Sequence, residues 1–361
     1  MASDNRHLAV IAPQPYPTEP NLQVIDVDDN NKASSRVVLK EAEEGSIAWS
    51  PDGQTIALTY RFRDFSGIKL ISVVDARETA RRELQENECW TDGSPITFTP
   101  DGGALWATCD FPAWHPAWHP PRGTPEMFPV AIKYRLPDLI ADDRVVLQSP
   151  VAGARAGNFG YSLTTINMTP RLSAIIQYER PGKYEDAYSP FAYGFDLGRK
   201  AELFPPFNIL DDRRSGLARH PKELILSPDA TYGLLRLDSG TLSGQAPIDE
   251  TLDRQFEGYD TRSGQRLVSF GGRNGKVPEA GVIGEAALLR DGQTIVGRWG
   301  RGPTREGGLV VLDARTGAVH QRIRFTGVHP LGNHRLALSP DGTRLASLTN
   351  GNEIRLYRTG Q

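Results

Sequence analysis

The residues best suited to chemistry lie in a tandem Trp-His-Pro sequence at positions 114–120. Its indoles can stack on a ligand, and its imidazoles can donate hydrogen bonds or act as a general base near neutral pH. The prolines disfavour a helix, so the two histidines are not brought together, and no third metal ligand is close in sequence. The segment predicts either a ligand-contacting wall or a loop packed on its own support, with no metal and no cofactor. Its chemistry-bearing residues are Trp114, His115, Trp118 and His119.

Two other stretches combine aromatic rings with arginine. One contains Tyr178, Arg180 and Tyr184 among alternating charges, which predicts either recognition of a polar ligand or partner, or a solvated loop. The other contains Trp299 and Arg301 between further arginines, which favours a carboxylate, a phosphate or a nucleobase if the stretch faces a pocket. Trp299 fits a packing role equally well.

Charge balance argues against a nucleic acid partner, and the lengths of the apolar runs argue against a membrane span. The 361-residue chain has 41 Lys and Arg against 44 Asp and Glu, a formal net charge of −3 at pH 7. Because there is no basic stripe, we do not expect a nucleic acid partner, and because no apolar run approaches ~18 residues, we do not expect a membrane span. With only two cysteines the sequence implies no disulfide framework, and it predicts a cytoplasmic protein.

The chain around these residues repeats one hairpin pattern: an apolar strand, a turn based on Pro-Asp-Gly, and a second apolar strand. Proline presets φ in such a turn, and glycine tolerates positive φ. A second signature follows most copies, with an apolar strand that ends in Asp, a tight polar turn and another strand. Together the two signatures predict a four-stranded antiparallel unit, whose strands we label a to d in chain order. The six hairpin turns begin at Ser50, Thr99, Thr169, Ser227, Leu289 and Ser339.

The copies recur about every 50 to 70 residues, which is typical of propeller blades with insertions. The N-terminal segment supplies strands b to d, and the C-terminal segment supplies strands a to c. Counted separately these two sets give seven blades, whereas six blades result if they share one. We expect seven in a single domain spanning residues 1–361, with residues 1–6 as a disordered tail. The blades are expected at about 7–40, 46–85, 94–148, 160–205, 222–270, 282–325 and 333–358.

The sequences of these repeats resemble those of the WD40-like β-propeller superfamily, in particular the PD40 (TolB-type) and YVTN-type repeats. Those families carry a similar Ser-Pro-Asp-Gly hairpin and a Val-Ile-Asp-like third strand. The resemblance covers roughly residues 8–358 and implies an all-β fold with a single β-propeller. It implies no particular function, because propellers serve as hydrolases, lactonases, lectin-like binders and protein scaffolds.

Surplus chain is predicted at one end of the blades, in the b–c and d–a connections. Because antiparallel strands alternate in direction, both kinds of connection emerge at the same end, where long loops on a rigid scaffold often bind or catalyse. This pattern favours a non-enzymatic binding or scaffold module for a protein or peptide partner. The alternative is an enzyme or small-molecule binder of hydrolase, lactonase or isomerase type at the mouth of the central channel. The connections include 61–67, 110–129, 179–190, 238–257 and 300–307, and the d–a connection 85–94, which contains the further candidate Trp90.

Overall fold

The computed structural model contains strands and turns, and no helix, in the part of the chain that it describes. In that part, no apolar helix is long enough to cross a membrane. The described residues are 2, 7–12, 21–27, 33–39, 45–62, 65–84, 95–109, 130–146, 155–166, 169–179, 188–209, 219–239, 255–271, 283–301, 306–325, 336–339, 341–348 and 354–359.

Within the described residues, seven antiparallel sheets follow one another along the chain, five with four strands and two with three. They are the blades of a seven-bladed β-propeller, which confirms the predicted fold class. The first and last sheets are separate and three-stranded, so the terminal segments form two blades and the count of six is not adopted. Blades 1 to 3 comprise β1 (His7–Ala12), β2 (Asn21–Val27), β3 (Ala33–Leu39); β4 (Ile47–Trp49), β5 (Thr55–Phe62), β6 (Phe65–Ser72), β7 (Arg77–Leu84); β8 (Ile96–Phe98), β9 (Ala104–Cys109), β10 (Val130–Arg135) and β11 (Ile140–Val146).

The later blades have the same strand order. In each of them, neighbours in sequence are neighbours in the sheet. Blades 4 to 7 comprise β12 (Arg155–Ile166), β13 (Thr169–Glu179), β14 (Tyr188–Asp196), β15 (Ala201–Asn208); β16 (Arg219–Leu226), β17 (Tyr232–Ser239), β18 (Gln255–Asp260), β19 (Gln265–Gly271); β20 (Ile283–Leu288), β21 (Thr294–Arg301), β22 (Glu306–Asp313), β23 (Val319–Phe325); β24 (Leu336–Leu338), β25 (Arg344–Leu348) and β26 (Ile354–Arg358).

The chain divides into two compact units. Blades 1 to 3 belong to unit 1, blades 5 to 7 belong to unit 2, and blade 4 contributes residues to both. Within the segment predicted as a tail, Ala2 is buried and its amide donates to the carbonyl of His7 at 2.8 Å. Unit 1 is Met1–Leu172, Tyr178–Ala187 and Phe195–Ala201, and unit 2 is Ser173–Gln177, Tyr188–Gly194 and Glu202–Gln361.

The turn between strands a and b is closed by a hydroxyl and a carboxylate. In blade 2 the Ser50 hydroxyl donates to Asp52 Oδ1 at 2.5 Å and accepts the amide of Thr55 at 2.9 Å. The same carboxylate oxygen accepts the amide of Gln54 at 3.0 Å. Gly53 occupies the left-handed region with φ of 71°, which a side chain would strain. The motif therefore forms a hydrogen-bonded clamp across the turn.

The clamp recurs in three other blades, and blade 6 uses a variant. There Leu289 replaces the hydroxyl residue, and Asp291 accepts the amides of Gln293 and Thr294, both at 2.9 Å. The hydroxyl-to-carboxylate distances elsewhere are 2.6 Å for Thr99–Asp101, 2.7 Å for Ser227–Asp229 and 2.6 Å for Ser339–Asp341.

Blade 4 departs from the predicted repeat. The turn expected to begin at Thr169 is wrong in position, because β13 already starts there and the carbonyl of Pro170 accepts the amide of Leu197 at 3.0 Å. The sequence at this point has neither the Asp that binds turn amides nor the Gly that accepts positive φ. Without them, nothing favours a clamp, and the residues join the strand.

Apolar side chains fill the seams between consecutive blades of each unit, so both faces of a blade are packed. A polar residue on an inner strand can therefore be buried on either face of its sheet, whereas outer strands such as β7 expose polar residues. Representative residues are Leu22, Val24 and Ile56 for blades 1 and 2; Ile68, Leu105 and Tyr134 for blades 2 and 3; Leu224, Leu235 and Tyr259 for blade 5 against residues of blade 4 in the same unit; Phe256, Phe270 and Ile295 for blades 5 and 6; and Val296, Leu309 and Leu345 for blades 6 and 7.

Candidate functional site

Most of the residues predicted to bind a ligand fall outside the described part of the chain. Seven of them lie in connections that the structure does not describe, and two lie at strand ends where only the backbone is described. Their roles stay predictions. The first group is Trp90, Trp114, His115, Trp118, His119, Arg180 and Tyr184, and the second is Tyr178 in β13 and Arg301 in β21.

Trp299 is the predicted site residue whose side chain is described. It is 6% exposed and packs in the apolar seam between blades 5 and 6. Its indole Nε1 donates to the carbonyl of Leu309 at 3.2 Å, and the guanidinium of Arg322 lies 5.5 Å from the ring centroid. The indole N–H is already hydrogen-bonded and the ring is enclosed. Of the two roles that the sequence left open, ligand contact and packing, these contacts fit packing.

The strand bounds show where surplus chain leaves the blades. In blade 3 the b–c connection is 110–129 and the connection into strand a is 85–94, whereas the c–d turn is a hydrogen-bonded reversal at 136–139. Surplus chain in this blade is therefore concentrated at its b–c end, as predicted.

Blade 2 does not follow that prediction. The expected b–c connection at 61–67 is wrong, because the ladder continues through Arg61↔Ser66 to Phe62↔Phe65 and makes a tight hairpin. Both strands carry residues that suit a sheet up to this point, so strand pairing is favoured over a loop conformation. The strands β21 and β22 likewise extend to Arg301 and Glu306, which shortens the connection expected at 300–307.

The turn aspartates are the most regular set of polar groups in the described residues. Hydrogen bonds from the Ser50 hydroxyl and the Gln54 amide hold the pKa of Asp52 below its usual range, and Thr99 and Gly103 do the same for Asp101. Both carboxylates are therefore ionised at neutral pH. Their bonds are used to close turns, so they are poor candidates for a general base.

A cleft of about 310 Å³ lies between the a–b turns of blades 2 and 3, within unit 1. The carboxylates of Asp52 and Asp101 are among its polar lining, and Leu70, Phe98 and Leu136 provide apolar surface. No His, Cys or Lys is among the described residues that line it. Sequence reasoning missed this cleft because the Pro-Asp-Gly copies were interpreted only as turns.

Blade 5 contains a buried carboxylate, Glu257, with three donors from its own blade. It accepts hydrogen bonds from Gln255 Nε2 at 3.0 Å, from the Tyr259 phenol at 2.6 Å and from Arg266 at 2.9 Å. Burial, followed by the charge of Glu257, raises the pKa of Tyr259, so the phenol stays protonated and donates. The network is held within one blade, and it was not predicted because polar residues here alternate with apolar ones as in any strand.

Metal ligation has little support in the described residues. No group of three or more His, Cys, Asp or Glu side chains is close enough there to hold an ion. The acidic side chains described above are instead occupied by hydroxyls, amides and one guanidinium.

Comparison with known proteins identifies the fold and leaves the activity open. No family model matches the sequence, and no curated protein matches it. Among solved structures, the chain is similar to hydrazine synthase from Kuenenia stuttgartiensis, with a TM-score of 0.57 at 15% identity over 94% of this chain and 90% of that one. It is also similar to an oligogalacturonate lyase in complex with manganese, with a TM-score of 0.53 at 13% identity over 99% and 86% of the two chains.

A third similar structure is a putative 6-phosphogluconolactonase from Bacteroides fragilis, with a TM-score of 0.52 at 11% identity over 100% of this chain and 93% of that one. At these identities the likeness shows the β-propeller fold, in agreement with the resemblance to WD40-like repeats. Propellers of this kind carry unrelated activities, so the choice between scaffold and enzyme depends on the site.

Proposed function

We propose that this chain is a non-enzymatic binding module that holds a protein or peptide partner with the long connections of blade 3. The supporting observation is the contrast within that blade between clamped turns at one end and the connections 85–94 and 110–129 at the other. These connections contain Trp90, Trp114 and Trp118. Indoles presented on a rigid support are the side chains that most often dominate binding energy at protein interfaces.

The polar clusters of the described residues support a scaffold over an enzyme. Asp52 and Asp101 close turns, and Glu257 joins strands β18 and β19 through Arg266. A general base at neutral pH needs a raised pKa, whereas turn hydrogen bonds lower the pKa of Asp52 and Asp101. Glu257 is buried among three donors of its own blade.

The experiment is selection of a displayed random-peptide library on the purified full-length chain, followed by affinity measurement with the selected peptide. The double variant Trp114→Ala/Trp118→Ala is expected to weaken binding at least about 30-fold, since an interface hot spot contributes ~2 kcal/mol or more. A matched control is Arg77→Ala/Asp138→Ala, two exposed residues at the turn end of blades 2 and 3. The control is expected to bind as the wild type does.

Equal binding by the tryptophan variant, or enrichment of no peptide at all, would overturn the proposal. The alternative function, an enzyme or small-molecule binder, predicts a different pattern. In that case His115→Ala/His119→Ala would abolish turnover or ligand binding while peptide selection failed, because the imidazoles would then act as a general base or as ligand hydrogen-bond partners.

A further inference from the structure

Arg298 is a permanently charged residue buried in the seam between blades 6 and 7. It is 4% exposed and lies on β21, on the face opposite Trp299. A guanidinium keeps its proton at every physiological pH, so its burial cannot be relieved by neutralisation as that of a lysine or a carboxylic acid can. A buried charge of this kind is costly unless an anion accompanies it.

The described residues supply one nearby charge and no direct partner. Glu285 on β20 stands opposite Arg298 in the ladder and acts on it electrostatically, yet no described carboxylate or carbonyl accepts a hydrogen bond from the guanidinium. Burial lowers the pKa of Arg298, and the charge of Glu285 opposes that shift.

A second unsatisfied group faces the same seam from blade 7. The Ser347 hydroxyl is buried, with the residue 0% exposed, and it has no hydrogen-bond partner in the described part of the chain. Val296 of β21 and Leu345 of β25 belong to one apolar cluster. Arg298 lies two residues after Val296, and Ser347 lies two residues after Leu345. Each therefore shares a strand face with that apolar residue.

The direction of the strands places each polar group on the b–c side of its apolar neighbour. β21 and β25 are each the b strand of their blade, and each runs from the clamped a–b turn toward the b–c end. Arg298 therefore lies one pleat, about 7 Å, beyond Val296, and Ser347 lies the same distance beyond Leu345 in the same direction. Their cross-strand neighbours Leu309 and Leu336 belong to the apolar cluster. A charged donor and a neutral donor, both without a described acceptor, thus face one seam.

We propose that the seam between blades 6 and 7 is a binding site for a singly charged oxyanion, a carboxylate, with Arg298 as its charged donor and Ser347 as a second donor. The planar guanidinium matches the two oxygens of a carboxylate in a bidentate pair. The neighbouring Glu285 disfavours a dianion such as phosphate, because a second negative charge would be repelled across the ladder.

The test is thermal unfolding of the full-length chain with acetate as the probe, titrated against chloride at constant ionic strength. Saturable stabilisation is expected, with a dissociation constant on the order of millimolar for so small a ligand. Neutral acetamide and phosphate are expected to give no saturable response. Arg298→Met should abolish the response to acetate, and Ser347→Ala should weaken it about 5-fold, the loss of one hydrogen bond.

Arg324→Met, at an exposed position on β23 of the same sheet, is the matched control and should respond as the wild type does. Without acetate, Arg298→Met should unfold no earlier than the wild type, because it removes a buried charge that lacks a direct partner. If that variant proves unstable, or if acetate stabilises it as it does the wild type, the site is overturned.

The source of the carboxylate can be distinguished with a short acidic peptide and its fully amidated form. Preference for the peptide over acetate in an Arg298-dependent way would indicate a macromolecular ligand, and equal response would indicate a free acid. The acetate titration needs no protein partner, so this site and the partner surface of blade 3 can fail independently.

Discussion

The phenol of Tyr259 lies 2.6 Å from Glu257 Oε2 and donates a hydrogen bond to it within blade 5. The carboxylate is 2% exposed and is also bound by Arg266 of the adjacent strand. A charge at this depth is stable because its acceptor capacity is filled by donors of one sheet. The Tyr259–Glu257 bond lies within β18, and the bond from Arg266 to the same carboxylate ties β18 to β19.

Replacing Glu257 by Gln should lower the stability of the chain by about 3 kcal/mol, since removing one member of a buried ion pair leaves the other without its counter-charge. The change is to be measured by urea unfolding followed by tryptophan fluorescence. Glu78→Gln is the control, because its partner Arg81 is largely exposed and such pairs contribute at most about 1 kcal/mol. Equal losses in the two variants would contradict a structural role for the buried network.

Replacing Asp52 by Asn should destabilise the chain at neutral pH and much less in acid. Bonds from Ser50 and Gln54 depress the pKa of Asp52 in the folded chain below the ~3.9 of an unfolded aspartate. Their contribution is complete above the unfolded value and is lost as the pH falls through the folded value. Because Asp52 is largely exposed, we expect only about 0.5 to 1 kcal/mol at pH 7.

The measurement for Asp52→Asn is the unfolding free energy at pH 7 and at pH values below the folded pKa. Asp138→Asn, at an exposed position in the c–d turn of blade 3, is the comparison for the substitution itself and should leave the stability at pH 7 close to that of the wild type. A gap between Asp52→Asn and the wild type that stays constant in acid would rule out the clamp as its origin.

Two glycines of similar backbone conformation should respond differently to alanine. Gly102 has φ of 69° and a new Cβ would meet its nearest neighbour, Pro51, at 3.7 Å, so Gly102→Ala should cost only the left-handed strain of about 1–2 kcal/mol. Gly264 has φ of 67°, and a Cβ there would lie 2.8 Å from the Cβ of Phe207. Thermal unfolding should rank Gly264→Ala as clearly less stable, and the reverse order would refute the packing argument.

Trp299→Ala should lower stability by about 3–5 kcal/mol, because it empties part of the seam between blades 5 and 6. Trp299→Phe should cost less, about 1–2 kcal/mol, mainly from the lost hydrogen bond between the indole and the carbonyl of Leu309. Arg322→Ala is the control for the exposed cation over the ring and should change stability by about 0.5–1 kcal/mol. The free energy of unfolding of each variant is to be measured by urea unfolding. Normal stability of Trp299→Ala would show that the indole serves a ligand instead.

Local rules made the clamped turns predictable. Ser50, Asp52 and Gly53 have the hydroxyl, carboxylate and positive-φ tolerance that this turn requires, and all three act on residues within five positions. The same rules explain the failure at Thr169, where no Asp or Gly is present and β13 runs through. The hairpin at Phe62↔Phe65 was missed because the end of a ladder depends on pairing with a partner strand.

By itself the sequence determined the repeat, the all-β fold and the seven blades, because each blade is specified by turn residues and alternation over short distances. Only the tertiary structure decided which polar side chains are buried. In a propeller an inner strand can be packed on both faces, so alternation cannot distinguish a buried Arg298 or Glu257 from a solvated one. The seam that encloses Arg298 and Ser347 joins residues that are far apart in sequence, and such proximity is a property of folded packing alone.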